Sequence, residues 1–160
     1  LYGILHDQVT ARVCVEYFTI GHPPVFNTDS PTLLALGWGI LATWWVGLIL
    51  GILAALMSRF GSWPKIDGSR LLRPVCGLMI IMGCASLLAG VAGYLEAQGG
   101  GVCLVEPLAS RVPASKHEAF LADLWAHVAA YGVGFLGGIT LCGWVLFRRW
   151  QMAKHQEAIR

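Results

Sequence analysis

Acidic and imidazole side chains are concentrated near the start of this 160-residue chain. The segment 6–30 contains His6, Asp7, Glu16 and His22, which can transfer protons near neutral pH or bind a divalent metal ion. Histidine nitrogens and carboxylate oxygens are typical zinc ligands. The segment is therefore a candidate catalytic or metal-binding site.

A second acid and histidine pair lies much later in the chain. Asp123 and His127 are four residues apart, so their side chains share one face of a helix. Titratable groups inside a membrane are costly unless they are paired or hydrated, so such a pair is a functional candidate. We expect its partner to be Arg12 or Glu16 from the first segment. Pairing between Asp123 and His127 alone is the alternative.

The two groups together define the candidate site residues. The catalytic candidates are His6, Asp7, Glu16, His22, Asp123 and His127. The candidate metal ligands are His6, Glu16, His22 and His127. A competing interpretation is structural: ion pairs and caps made by Asp7, Arg12 and Glu16 would order the segment without any chemistry. His127 is also a candidate axial ligand for haem, but the sequence contains no haem-attachment or metal-binding motif, and no cofactor is predicted.

An unusually apolar chain must position these side chains. Hydrophobic residues make up 56% of the sequence and charged residues only 12%, unlike a soluble domain of this length. The eleven Lys and Arg residues are divided among several segments, so nucleic acid is not expected as a partner. The predicted partner is the lipid bilayer.

Three uncharged stretches are long enough to cross a bilayer as helices. They predict an all-α integral membrane helical bundle over residues 1–160, with transmembrane helices at 31–58 and 75–95 and a long helix at 115–147, of which 127–147 crosses the membrane. The predicted connections are an outer segment 6–30, a cytoplasmic loop 59–74, an outer loop 96–114 and a cytoplasmic tail 148–160.

Two local patterns add detail to this plan. The sequence from Ser115 to Glu118 matches a capping box at the start of the long helix. Alternating apolar residues between Val9 and Tyr17 suit a short strand, with a helix or an ordered loop as alternatives.

The Lys and Arg residues are distributed unevenly between the two sides of the bundle. Loop 59–74 and tail 148–160 contain eight of the eleven, and the rest of the chain contains three. Because positively charged loops stay in the cytoplasm, the C-terminus is predicted to be cytoplasmic. The apolar start Leu1–Leu5 predicts a fourth transmembrane helix upstream of Leu1, and a cleaved signal peptide is the alternative.

Small residues recur at helical spacing in each span, as in Gly39, Gly47 and Gly51. Such faces let membrane helices approach closely. They predict packing against other membrane helices in this chain, in a homo-oligomer or in a larger membrane complex.

Cys14 and Cys103 fall on the same predicted outer side of the membrane. An oxidising compartment there would permit a disulfide bond between them. Two unpaired thiols are the alternative.

The first segment also resembles part of a known group of proteins. Tyr2-Gly3, His6-Asp7-Gln8, Thr10 and Glu16-Tyr17-Phe18-Thr19 are similar to the start of a group of uncharacterised bacterial multi-pass membrane proteins, in which this pattern follows a first transmembrane helix. The resemblance implies a protein of the bacterial cytoplasmic (inner) membrane with a helix upstream of Leu1. It implies nothing about chemistry.

Three functions are compatible with these features. The sequence favours a non-catalytic accessory or assembly subunit, because its packing signals are strong and it contains no catalytic motif. The first alternative is a membrane enzyme or metal-binding protein with a site on the outer surface. The second is a small transporter or channel, for which Thr43, Ser86 and Thr140 are the available polar groups within the spans.

Overall fold

The computed structural model describes residues 1–159 and forms an all-α bundle. Its helices in chain order are α1 (Tyr2–Val13), α2 (Val15–Thr19), α3 (Pro31–Leu41), α4 (Trp44–Arg59), α5 (Gly68–Gln98), α6 (Leu108–Arg111), a 3₁₀ turn (Ala114–Lys116) and α7 (His117–Ala158). Three helical stretches, Pro31–Arg59, Gly68–Gln98 and Ala114–Ala158, are long and apolar enough to cross a membrane. The predicted fold class, a helical membrane bundle, is confirmed.

The predicted first segment forms helices rather than a strand. Residues 9–17, in which apolar residues alternate along the sequence, belong to α1 and α2, and a short extended link at Cys14 joins these helices. An isolated strand would leave backbone groups unpaired, whereas a helix satisfies them within itself. α1 lies along α3 instead of forming a loose cover over the bundle.

The predicted span 31–58 is observed as Pro31–Arg59, and a turn at residues 42–43 divides it into α3 and α4. The break coincides with the point where α1 crosses α3. A Cβ atom on Gly39 would lie 2.6 Å from the Cα of Ile4, so the two backbones touch there. The Thr43 hydroxyl donates a hydrogen bond to the Gly39 carbonyl next to this crossing.

Both remaining long helices extend beyond their predicted bounds. α5 covers 68–98 instead of 75–95, so loop 59–74 is shortened, and Pro74 lies inside the helix. α7 continues to Ala158, so the predicted tail 148–160 is helical up to that residue; Arg160 lies outside the described residues. No Gly or Pro follows Phe147, and charge alone does not end a helix.

The beginning of α7 also differs from the prediction. Residues 114–116 form a 3₁₀ turn, and Lys116 precedes α7 without a side-chain cap, so the predicted capping box is not formed. The predicted outer loop 96–114 contains the short helix α6.

The predicted faces of small residues on α4 and α5 differ in what they contact. Gly90 and Gly93 of α5 lie against Ala126 and Trp125 of α7, where a Cβ would contact or clash with the partner helix. By contrast, a Cβ on Gly51 of α4 would meet no atom within 4 Å among the described residues. The α5 face is therefore used inside the chain, and part of the α4 face is free.

Arg149 joins α7 to the end of α4 and to the loop that follows it, at one end of the bundle. Its side chain is fully buried and donates hydrogen bonds to four backbone carbonyl oxygens: Met57 at 2.6 Å, Phe60 at 2.8 Å, Trp63 at 3.0 Å and Pro64 at 2.8 Å. These carbonyls belong to the last turn of α4 and the loop that follows it. A buried cation is thus stabilised by the negative end of a helix and by loop carbonyls.

We predict that Arg149→Gln destabilises the protein strongly. Several buried carbonyls would lose a charged donor, which should lower the free energy of unfolding by about 3 kcal/mol. Unfolding in detergent micelles, followed by circular dichroism, measures this change. The matched control is Arg148→Gln at the exposed neighbouring position, for which we expect a change within about 0.5 kcal/mol. Equal effects of the two substitutions would contradict this role.

Candidate metal centre

His6, Asp7 and His127 converge on one point between α1 and α7. The Asp7 Oδ1 atom lies 3.1 Å from Nδ1 of His6 and 3.4 Å from Nε2 of His127. The three ligand atoms lie within 4.8 Å of one another. Asp7 and His127 are buried and His6 is partly buried. We call these three residues the His–Asp–His cluster.

Two of the three spacings within the cluster match those of atoms bound to one metal ion. Two ligand atoms that each lie about 2.0–2.1 Å from an ion are about 3.0–3.4 Å apart, depending on the coordination geometry. The two distances to Asp7 Oδ1 fall in this range. The third pair of ligand atoms, on His6 and His127, lies within 4.8 Å.

The second nitrogen of each ring is held by a separate hydrogen bond. Nε2 of His6 lies 2.9 Å from the Ser86 hydroxyl of α5, and Nδ1 of His127 lies 2.7 Å from the Asp123 carbonyl oxygen. Metal-binding histidines usually donate their other N–H to such an acceptor, which directs the free nitrogen toward the ion. The cluster therefore has the outer hydrogen bonds of a metal site.

The hydrogen bond of His127 also determines which of its ring nitrogens carries the proton. A carbonyl oxygen only accepts, so Nδ1 of His127 carries the proton. In a neutral ring Nε2 would then present a lone pair to the carboxylate oxygen of Asp7, and the two would repel. A cation between them, either a proton on Nε2 or a metal ion, removes this repulsion.

Aromatic rings fix the position of the two histidines. Tyr17 of α2 stacks on His127 with ring centroids 4.5 Å apart, and His6 meets His127 edge to face at the same distance. Tyr2 stacks on His6 with ring centroids 5.8 Å apart. Because Tyr17 belongs to α2, this helix covers one side of the cluster.

The cluster also borders open space inside the bundle. A cavity of about 320 Å³ between α1, α4, α5 and α7 is lined by all three cluster residues, and by apolar side chains that include Met82 and Phe135. An ion held by the cluster would thus have an accessible position for a further ligand.

The cluster lies deeper than the outer-surface site that the sequence suggested. His127 is ten residues from the start of α7, which is about 15 Å along the helix. Ser86 is twelve residues from the end of α5, or about 18 Å. The difference arises because α1 packs along α3 and enters the bundle.

Two other predicted metal ligands do not join the cluster. Glu16 accepts a hydrogen bond from the Cys14 thiol and lies 4.0 Å from the Lys116 ammonium group. His22 stacks on Phe18 and donates from Nδ1 to the carbonyl of Tyr17. Glu16 lies within α2 and His22 lies in the turn that follows it, and each side chain is held by these other partners.

The expected partners of the Asp123 and His127 pair are also different. His127 meets Asp7, whereas Arg12 donates hydrogen bonds to Gln8 and Thr32 on the exposed side of α1. Asp123 is fully buried, and among residues 1–159 its Oδ2 atom has no hydrogen-bond partner.

Of the two alternatives for Cys14 and Cys103, a disulfide bond or two unpaired thiols, the structure has the second. Cys14 is buried and Cys103 is exposed, and both thiols are free. Burial, together with the nearby Glu16 and Asp123 carboxylates, raises the pKa of the Cys14 thiol to about 12, which keeps it protonated and unreactive.

Two residues beside the cluster were not among the candidate site residues. Ser86 was named only as a polar group available to a transporter or channel, and Tyr17 only as part of the segment that resembles other membrane proteins. A hydroxyl group halfway along an apolar helix was the one available signal for Ser86, since such groups seek a partner in a membrane.

Comparisons with known proteins do not assign the site. No protein-family model matches the chain, and no curated protein or solved structure is significantly similar to it. Its function must therefore be argued from its own geometry.

We predict that His22 makes the stability of the protein depend on pH. Burial lowers the pKa of His22 below its ordinary value of about 6.5, although the Tyr17 carbonyl opposes this shift. The unfolded chain then binds the proton more readily, so the folded state loses stability as pH falls through 6.5.

His22→Phe tests this prediction because phenylalanine keeps the aromatic stacking and cannot take up a proton. Relative to this variant, the wild type should become less stable between pH 7.5 and pH 5, as measured by thermal unfolding in detergent. A stability difference that stays constant with pH would contradict it.

Proposed function

We propose that the protein is a metal-binding membrane protein in which the His–Asp–His cluster holds one divalent transition-metal ion. The observation that supports this most strongly is that both nitrogens of each histidine ring have a partner. Asp7 lies against one nitrogen of each ring. The other nitrogen is hydrogen-bonded to Ser86 in His6 and to the Asp123 carbonyl in His127. We therefore prefer metal binding to the accessory or assembly subunit that the sequence favoured.

The ligand set indicates which ions would bind. Two imidazoles and one carboxylate suit zinc, iron(II), cobalt(II) or manganese(II), and three protein ligands leave at least one position open. An open position next to the 320 Å³ cavity would permit a Lewis-acid or redox role. We therefore favour a functional ion over a purely structural one.

The orientation in the membrane is part of the proposal. We place the protein in a bacterial cytoplasmic membrane with its C-terminus in the cytoplasm. The uneven distribution of Lys and Arg supports this, and Arg149 holds the end of α4 beside α7 at the same positively charged end. The cluster then lies in the opposite half of the bundle.

Metal titration of the purified protein tests the proposal. In detergent without chelator, the wild type should bind one zinc or cobalt ion per chain, as measured by calorimetry and by elemental analysis. His127→Phe and Asp7→Leu should weaken binding more than about 100-fold, since each removes a ligand. Ser86→Ala should weaken it by about tenfold or more, because it removes only an outer hydrogen bond.

His22→Phe is the matched control, since His22 was a predicted ligand but lies outside the cluster. It should leave the affinity unchanged. Metal binding that survives His127→Phe, or a wild type that binds no ion at micromolar concentration, would contradict the proposal. The cluster would then be an ion pair between Asp7 and a protonated histidine.

A partner subunit or homo-oligomer remains the second candidate. The free face of α4 around Gly51 supports it, because small residues open to the membrane permit close contact with another helix. Gly51→Leu should dissociate an assembly seen by native mass spectrometry, whereas Gly143→Leu on the open side of α7 should not. A wild type that is monomeric, with no co-purified partner, would count against it.

A further inference from the structure

Exposed cations are concentrated at the end of the bundle where Arg149 is buried. Segments 59–74 and 148–159 contain only two acids, Asp67 and Glu157, so this surface carries a net positive charge. We call its exposed Lys and Arg residues the cationic end: Arg59, Lys65, Arg70, Arg73, Arg148 and Lys154.

Arg149 brings the segments of the cationic end onto one surface. The carbonyls that it binds lie on either side of Arg59 and directly before Lys65 in the sequence. Arg148 is its neighbour in α7, and α5 begins after the same loop. The cations of two long helices and of their loop are therefore held near the end of a third.

The cationic end lies at the level of the lipid headgroups. α5 contains no Lys, Arg, Asp or Glu for 22 residues after Arg73, and α7 contains none for 24 residues before Arg148. Each run is more than about 30 Å long as a helix, which is the thickness of the hydrocarbon core. Trp63 and Trp150 lie at the same end and are 41% and 40% exposed, as is typical of residues at a membrane interface.

Most of these cations have no acidic partner within the chain. Among residues 1–159, Arg59 is the one member of the cationic end that makes an ion pair, with Asp67 at 3.6 Å. The Lys154 ammonium group lies over the Trp150 ring instead. Unpaired cations next to headgroups attract anionic lipids, and each adds to the attraction.

An apolar groove adjoins the cationic end. It has a volume of about 280 Å³, lies between α4 and α7, and is lined by Leu56, Phe60 and Leu146 among others. Each of these three residues lies within three positions of Arg59 or Arg148 along the chain. A molecule with an acyl chain and an anionic head would therefore match both the groove and the charges beside it.

We propose that the cationic end binds an anionic phospholipid from the surrounding leaflet. Its phosphate lies among the unpaired Lys and Arg side chains, and one acyl chain lies in the groove between α4 and α7. Charge complementarity favours this lipid over a zwitterionic one, and a soluble polyanion would leave the groove unfilled. The proposal does not rest on metal binding, because the His–Asp–His cluster lies in the other half of the bundle.

Lipid titration of the full chain in a neutral detergent, followed by native mass spectrometry, tests the proposal. The probes are dioleoylphosphatidylglycerol, which is anionic, and dioleoylphosphatidylcholine, which has the same acyl chains and no net charge. We expect the anionic lipid to bind at least about tenfold more tightly, because several cations act on its head together. Equal affinities for the two lipids would overturn the proposal.

A pair of double variants locates the bound lipid. Lys65→Gln combined with Arg148→Gln removes two unpaired cations, and it should weaken binding of the phosphatidylglycerol by about fivefold or more. Arg111→Gln combined with Lys116→Gln removes the same charge from the opposite end of the bundle and should leave the affinity unchanged. Equal losses in the two double variants would overturn the proposal.

Two soluble competitors distinguish the lipid from other anions. Glycerol 3-phosphate carries a phosphate without an acyl chain, and polyglutamate represents an acidic protein. Neither should displace the phosphatidylglycerol at millimolar concentration, and displacement by either would overturn the proposal. Circular dichroism checks that the variants fold. If the first double variant does not fold, the comparison of the two lipids on the wild type decides the question.

Discussion

The carboxylate of Asp7 has to be neutralised inside an apolar bundle, and the arrangement of the helices around it follows from that constraint. A buried charge in low dielectric is tolerated only when it is paired and hydrogen-bonded. Asp7 meets His6 on its own helix and His127 on α7, and Ser86 of α5 holds His6 from behind. Three helices are thereby tied together at one polar point.

At the other end of the bundle the buried charge is positive and belongs to Arg149. There a buried cation is satisfied by backbone carbonyls of α4 and its loop rather than by an acid. The two polar points therefore fix α7 against different partners, α1 at one end and α4 at the other. Between them the contact of α5 with α7 depends on close apolar packing at glycines such as Gly93. The 320 Å³ cavity lies beside the Asp7 end of the bundle.

The fold class could be predicted from the sequence because hydropathy over twenty residues decides whether a helix lies in lipid. The helix bounds were less predictable. Charged residues such as Arg148 mark an interface but do not end a helix, and the break near Thr43 depends on the crossing of α1 with α3. That crossing also decides the site. His6, Asp7 and His127 were all candidates, yet so were Glu16 and His22, and which of them meet depends on how α1 packs against α3 and α7.

X-ray absorption at the zinc edge of the zinc-loaded protein tests the central claim most directly, because it reports the atoms around the ion. We expect a first shell of nitrogen and oxygen at about 2.0–2.1 Å, with the outer-shell scattering of two imidazole rings. His127→Phe should reduce this to the scattering of one ring. A shell of oxygen atoms alone, with no imidazole signal in the wild type, would contradict the assignment of the His–Asp–His cluster as a metal site.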